Sequence, residues 1–287
     1  MSDEKHVEKT RIELVYPRLG ERIDCKETHN SFVIGEMIGE GNFSKVYSAI
    51  DVWGNDVAVK VLKPKGTYEA VREACVKEIV NLKRLRHPNI TYLHDAFEYR
   101  NAFYIVTEKC SSTLSEILKI RNFDGRLWLR PIAHCLLQAV SFVHREGYLH
   151  QDIHSGNVFS TFVKDELLPQ DRSALTFKLG DVGISRMISE VTAESTMANW
   201  MRPPEVIAQN RFGNPDHRID IYHLGLLFLQ ILLGGDIRFT DKEIVEGRPA
   251  RIAKSLNIKE GNAIAKALQC NVQDRYGSAM EFWTAIQ

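Results

Sequence analysis

The sequence is short of the features that mark several protein classes. Its five cysteines, at 25, 75, 110, 135 and 270, are scattered, and no CxxC pair occurs. An odd, dispersed set of thiols argues against a disulfide framework or a zinc site, and for a reducing, cytoplasmic setting. Net charge is missing too, since Lys plus Arg and Asp plus Glu both number 37. Without a field of one sign, the chain is expected to bind neither nucleic acid nor an anionic membrane. Long apolar runs are lacking. The longest, Leu224 to Leu233, is broken by Gly225 and Gln230 and falls short of the roughly 20 residues that span a bilayer. It is expected to be a buried helix. The opening MSDEKHVEKT is charged, unlike a signal peptide. Internal repeats and low-complexity tracts do not occur.

What is present is a globular composition, 44% apolar and 26% charged, with room in 287 residues for two lobes. Residues 1–30 are mostly charged and polar and are expected to be an extension, with a brief alternation at Arg11–Tyr16 that suits an edge strand. From Ser31, β-branched runs around Phe32–Ile34, Val46-Tyr47 and Asp56–Leu62 predict an antiparallel meander. Gly39 and Gly41 would let backbone N–H groups at a hairpin tip approach an anion, although the same G-x-G serves ordinary hairpins. A strand follows where a dinucleotide fold needs a helix, and no G-K-[ST] closes a P-loop. Alternation along Val57–Val61 puts Val57, Val59 and Val61 on one face and Ala58 and Lys60 on the other. A small residue beside a lysine leaves room for a flat ligand with phosphates in reach; a solvent-facing lysine is the plain alternative.

Helical spacing predicts a helix over Glu69–Arg86, with Glu78 beside its apolar stripe and His87-Pro88-Asn89 ending it. Strands are expected at Thr91–Glu98 and Phe103–Glu108, then helices at Leu114–Ile120 and Leu127–Arg145. The loop His150–Asn157 carries Asp152 and Asn157 with Gly156 between them. A carboxylate can take a proton or orient a nucleophile, and an amide oxygen can ligate a hard cation such as Mg²⁺. Turn formers bonding their own backbone explain the same pair. Thr176–Leu179 reads as a short strand leading to Asp181.

The order of these elements resembles the eukaryotic-type protein kinase family over about residues 32–287. The motifs are Gly39-Glu40-Gly41-Asn42-Phe43-Ser44-Lys45-Val46, Val57-Ala58-Val59-Lys60, Glu78, His150-Gln151-Asp152 with Asn157, Asp181-Val182-Gly183 and Pro203-Pro204-Glu205. The resemblance implies an α+β bilobal fold, with a small antiparallel-β lobe over 31–108 and a mainly helical lobe over 109–287. It implies Ser/Thr-directed transfer of phosphate from ATP to a protein substrate, with Mg²⁺ as cofactor. Gly39 and Gly41 would sit over the ATP phosphates, and Lys60, held by Glu78, would contact them. Asp152 would accept or orient the substrate proton, and Asn157 and Asp181 would ligate Mg²⁺. Val46, Ala58 and Phe159 would sandwich adenine, with Thr107 behind it and Glu108 and Cys110 offering backbone hydrogen bonds. Leu82, Leu93, His150 and Val182 match an internal apolar stack anchored by Asp220, and Glu205 and Arg275 a buried ion pair.

Four positions depart from the family's pattern. Ser44 replaces the third glycine and Val182 the usual Phe. Gln151 stands where an Arg pairs with a phosphate on the activation segment, so modification of Thr192, Ser195 or Thr196 should matter less. His154 stands where Ser/Thr kinases carry a Lys to the γ-phosphate. The pattern His-x-Asp-x-His-x-Gly-Asn also looks like the loop of small-molecule phosphotransferases such as aminoglycoside and choline kinases; Pro203-Pro204-Glu205, Asp220 and Arg275 favour a protein substrate. A pseudokinase binding module is the third reading, against which stand all five of Lys60, Glu78, Asp152, Asn157 and Asp181. A charged, Pro-containing insertion around 164–174 is expected to be a solvated loop.

Overall fold

The structure, a computed structural model, describes residues 15–25, 28–41, 44–63, 67–164, 173–182, 186–187 and 201–287. Residues 11–14, Asn42, Phe43, the insertion residues 165–172, Gly183, Thr192, Ser195 and Thr196 lie outside it. Two compact units form. One holds the chain up to Ile79 together with Leu93–Lys109, and the other holds Val80–Tyr92 and Cys110–Gln287.

The first unit is an antiparallel six-stranded sheet in the order β1-β2-β3-β4-β6-β5. Its strands are β1 (Arg22–Asp24), β2 (Ser31–Glu40), β3 (Ser44–Asp51), β4 (Asp56–Leu62), β5 (Leu93–Tyr99) and β6 (Ala102–Glu108). Val57, Val59 and Val61 are fully buried on one face of β4, among Ile34, Tyr47 and Val106. Phe97 stacks between Phe32 and Tyr104, with ring centroids 5.7 and 5.2 Å apart. Such aromatic pairs add about 0.5–1.5 kcal/mol beyond the area they bury.

The stretch before Ser31 is more than an extension. β1 pairs with Ser31–Val33, and Ile23 is fully buried. Thr28 Oγ1 and Asn30 Nδ2 both donate to Asp95 Oδ2, at 2.6 and 2.9 Å.

Helix α1 (Tyr68–Arg84) starts where Thr67 Oγ1 accepts from the Ala70 N–H at 3.2 Å. It buries Cys75, Glu78, Asn81 and Leu82.

The second unit carries β7 (Ser112–Thr113), β8 (Tyr148–Leu149), β9 (Val158–Lys164), β10 (Ser173–Leu179) and β11 (Arg186–Met187). Strands β9 and β10 pair in unbroken antiparallel register from Val158↔Leu179 to Lys164↔Ser173. The expected solvated loop is therefore in part a hairpin whose arms reach into the insertion. Sequence patterning missed this because the arms alternate poorly, and Phe162 and Val163 are both exposed.

The helices are α2 (Leu114–Ile117), α3 (Gly125–Arg145), α4 (Pro204–Ile207), α5 (Gln209–Phe212), α6 (Arg218–Leu233), α7 (Asp241–Val245), α8 (Arg248–Ser255), α9 (Lys259–Ala267) and α10 (Ala279–Ile286). Asp124 caps α3 through the N–H groups of Arg126 and Leu127, at 2.9 and 3.3 Å. α6 is apolar nearly all round and buries both sides, as a central helix must. It packs against α3 and α9. At Gly125 a Cβ would lie 1.9 Å from the Ile231 carbonyl oxygen, so only glycine permits that approach of α3 to α6. Among the described residues no helix is long and apolar enough to cross a membrane.

Candidate active site

In the first unit, strand register places five of the expected nucleotide residues together. Gly39 pairs with Val46, Val46 with Lys60, and Ala58 with Thr107. Ala58 and Lys60 are two apart on β4, so all five positions lie on the sheet face opposite the Val57–Val59–Val61 core. The four side chains at these positions are partly exposed, while Ile105, which pairs with Lys60 on the same face, is fully buried. Gly41 closes the hairpin through its N–H to the Ser44 carbonyl at 2.9 Å, and nothing lies within 4 Å of where its Cβ would be. Glu108 follows at the end of β6.

Lys60 Nζ lies 2.7 Å from Glu78 Oε1, with side-chain exposures of 18% and 11%. The pair is shielded enough for its attraction to exceed that of a surface salt bridge, and it fixes the ammonium over that face.

In the second unit the His150–Asn157 loop hangs on Asp220, in the first turn of α6. Asp220 Oδ2 accepts from His150 N and His144 Nε2, and Oδ1 from Gln151 N, each at 2.8 Å. Burial pushes the Asp220 carboxyl up, but the His144 hydrogen bond, the neighbouring His144 and His150 and the His150 N–H outweigh it and hold the group at about 2. Its ordinary value is 3.8. A carboxyl depressed on folding contributes stability above its unfolded value, and that contribution is lost as pH falls through the folded one. About 2 kcal/mol should therefore disappear between about pH 4 and pH 2. Thermal melts across that window, wild type against Asp220→Asn, check it: the substituted protein should be less stable at neutral pH and lose less on acidification.

Within the loop, each contact narrows where Asp152 can sit. His150 Nε2 bonds the Gly180 carbonyl at 2.9 Å, while its Nδ1 accepts from the Asp152 N–H at 3.3 Å. Asn157 Nδ2 donates to Asp152 Oδ2 at 2.9 Å and to the Asp152 carbonyl at 3.0 Å. Burial raises the Asp152 carboxyl, but His154, with His150 and His223, draws it below its ordinary value. It is therefore an anion at neutral pH. His154 Nε2 is 3.6 Å from Asp152 Oδ2, and its Nδ1 accepts from the Gly156 N–H at 3.0 Å. With Nδ1 occupied as an acceptor, a neutral ring carries its proton on Nε2, facing Asp152. A Cβ on Gly156 would come within 2.8 Å of His154 Cε1 and 3.0 Å of Nδ1.

Gly180 N donates to the Asn157 carbonyl at 2.8 Å, tying the residue before Asp181 to Asn157. Because the Asn157 amide nitrogen faces Asp152, its oxygen is the end left for a cation. Amide and carboxylate oxygens are the donors a hard cation takes, so Asn157 and Asp181 fit Mg²⁺ chemically. Asp181 and Gln151 both have left-handed backbones, with φ of 55° and 67°. Such conformations cost of order 1 kcal/mol or more and concentrate at functional sites. Phe159, on β9, has its ring edge where a Cβ on Gly180 would be, 2.3 Å away. Cys110 lies just before β7 and is partly buried.

Sequence reasoning missed three side-chain supports around this site. His144 reaches Asp220 from the last turn of α3. Asn81 Nδ2 donates to the Val182 carbonyl at 3.4 Å, and Asn89 Nδ2 to the Phe177 carbonyl at 2.9 Å. A polar residue beside an apolar stripe, as at Asn81, was the available signal.

Known proteins match the chain over most of its length. The protein kinase domain family matches residues 32–275. The chain is 32% identical over 205 residues to a probable serine/threonine-protein kinase zyg-1 of Caenorhabditis briggsae, covering 71% of this chain and 27% of that protein. It is 28% identical over 225 residues to cyclin-dependent kinase D-1 of Oryza sativa subsp. japonica, covering 75% and 49%. It is 27% identical over 215 residues to cell division control protein 2 homolog 3 of Trypanosoma brucei brucei, covering 73% and 65%. The chain thus spans from about a quarter to just under two thirds of the length of these relatives. With an antiparallel sheet followed by a mainly helical unit, and a family match over most of its length, the chain belongs to the protein kinase domain family and has its α+β fold.

Proposed function

We propose that this chain is an ATP- and Mg²⁺-dependent kinase that transfers the γ-phosphate to Ser/Thr hydroxyls of protein substrates, its own chain among them. The observation that carries this reading is the Asp152 carboxylate. It is ionised, oriented by Asn157 at 2.9 Å, and held on a loop whose backbone is pinned by buried Asp220. A carboxylate so placed accepts or orients a hydroxyl proton. Lys60, held by Glu78, addresses the α/β-phosphates, and the hairpin of Gly39 and Gly41 covers them, although the Gly41 N–H expected to face the phosphates is engaged by the Ser44 carbonyl. Adenine is assigned to Val46, Ala58, Thr107, Phe159 and the backbone of Glu108 and Cys110. Asn157 and Asp181 would hold Mg²⁺, which supplies neutralisation of phosphate charge. His154 donates from Nε2 beside Asp152, where the family's lysine would reach the γ-phosphate. Serine/threonine kinases among the relatives support the substrate class.

The test is transfer of label from ATP with Mg²⁺, alone and with a generic protein substrate, beside Lys60→Met and Asp152→Asn. Label on Ser/Thr that vanishes in both variants is the expected result. Label only on small hydroxyl or amino compounds would redirect the reading to small-molecule phosphotransfer, and nucleotide binding without transfer would end it.

Regulation should differ from kinases that carry Arg in place of Gln151. Gln151 is neutral and buried, and its Nε2 has no hydrogen-bond partner among the described residues. An amide offers a phosphate no charge and no fork. The triple variant Thr192→Ala, Ser195→Ala, Thr196→Ala is expected to keep its turnover within about tenfold, roughly 1.4 kcal/mol in barrier. A larger loss in steady-state kinetics would refute this.

A further inference from the structure

The second unit holds a 440 Å³ pocket to which the catalytic reading gives no role. It opens between α5, α8, α9 and the turn that follows α9. Arg211, Arg251 and Lys254 line it, and Asp274 is the one carboxylate among the lining residues. Other cations of this region are neutralised: Arg275 by Glu205 at 2.5 Å and Arg218 by Asp216 at 2.6 Å. Arg211, Arg251 and Lys254 form no ion pair with any described residue, although Asp274 shares their pocket. Arg211 lies 4.8 Å from the centroid of the buried Phe212 ring, and Arg251 Nη1 donates to the Glu246 carbonyl. Two of the three cations are therefore ordered before any ligand arrives, which lowers the entropy lost on binding.

Charge and shape together select the ligand. Three cations against one carboxylate leave an excess of two positive charges. A phosphomonoester carries about −1.5 to −2 at neutral pH, whereas a lone carboxylate carries only −1. Guanidinium groups bind phosphate through paired N–H bonds. The volume lies within the roughly 300–1,000 Å³ of ligand pockets, more than a bare ion needs, and Phe212 gives it an apolar wall for the carbon stem of a side chain. We propose that this pocket is a docking site for a phosphorylated side chain presented by a partner peptide. It contains none of the residues assigned to catalysis, so binding there needs no turnover and stands whether or not the proposed phosphotransfer holds.

The experiment uses the full chain carrying Asp152→Asn, so that the probe is not altered. The probe is a short fluorescent peptide with one central phosphoserine, compared with its serine and glutamate counterparts and with inorganic phosphate as competitor. The expected result is anisotropy binding to the phosphopeptide only, weakened at higher salt, displaced by inorganic phosphate, and reduced about tenfold or more by Arg251→Gln with Lys254→Gln. Lys242→Gln with Lys259→Gln, outside the pocket, should leave it unchanged, and melting curves establish that all variants fold. Cys270 lines the same pocket, so its alkylation should slow when the phosphopeptide is present. Equal binding of the serine peptide, affinity indifferent to the Arg251/Lys254 change, or unslowed Cys270 alkylation would overturn the proposal. Protection of Cys270 by inorganic phosphate without phosphopeptide binding would overturn it too, leaving a site for free anions.

Discussion

Asp152→Asn is expected to lower turnover by about 10²–10³, the scale on which one preorganised polar contact at a reacting centre is worth. The substitution keeps the side chain's size and removes its charge. The carboxylate now receives Asn157 Nδ2 at 2.9 Å and faces His154 Nε2 at 3.6 Å. An amide can keep its oxygen toward those donors only by turning its own NH₂ toward the substrate, where an acceptor is needed. Proton acceptance is lost while packing is nearly unchanged. The melting temperature should therefore stay close to that of the wild type while kcat falls and nucleotide affinity does not. Should kcat survive within about tenfold, the carboxylate would have no part in the chemical step. A fall in kcat matched by a fall in melting temperature would assign Asp152 a structural role instead.

Arg275→Met should be the most damaging single change to stability, costing about 3–5 kcal/mol because it strands a buried carboxylate. Glu205 and Arg275 have no exposed side-chain surface, and two hydrogen bonds of 2.8 and 2.5 Å join them. Arg275 also donates to the carbonyls of Gln269 at 2.8 Å and of Arg218 and Cys270 at 3.3 Å each, and lies 4.7 Å over the Tyr222 ring. At about 2–4 °C per kcal/mol for a domain of this size, the loss should lower the melting temperature by roughly 6–20 °C. Replacing both members with apolar residues should be less harmful than the single change, because no buried charge is then left alone. A double variant as unstable as the sum of the two single ones would count against this account.

Legibility in the sequence followed the range of the forces involved. β4 could be read because its alternation is set by neighbours on the same strand. The stripe of α1 could be read for the same reason, and its starting residue differs from expectation by only one. β1 could not, since three residues with one apolar side chain carry no period, and its pairing partner lies outside the stretch. Asp220 has nothing in its local sequence to announce its task, because the N–H groups it accepts lie about 70 positions earlier. It was found only through the family resemblance, as were Glu205 and Arg275. His144, Asn81 and Asn89 were missed because a buried polar residue is recognised by its distant partner, and no spacing rule supplies that partner. The Lys60–Glu78 contact lies between these cases: each residue was marked by its element, but only tertiary packing brings them to 2.7 Å.

Substitution at position 156 is expected to act through position 154. While the imidazole folds back onto the Gly156 N–H, even one methyl group at 156 would press into the ring at 2.8 Å. The ring is the rotatable end of its side chain and gives way before the backbone does, so a lineage that admits alanine at 156 gives up the Nε2 donor beside Asp152. Change at either position thus has one consequence, removal of the imidazole from the carboxylate. Libraries that randomise this loop should show the same loss of activity for alanine at 156 as for replacement of His154.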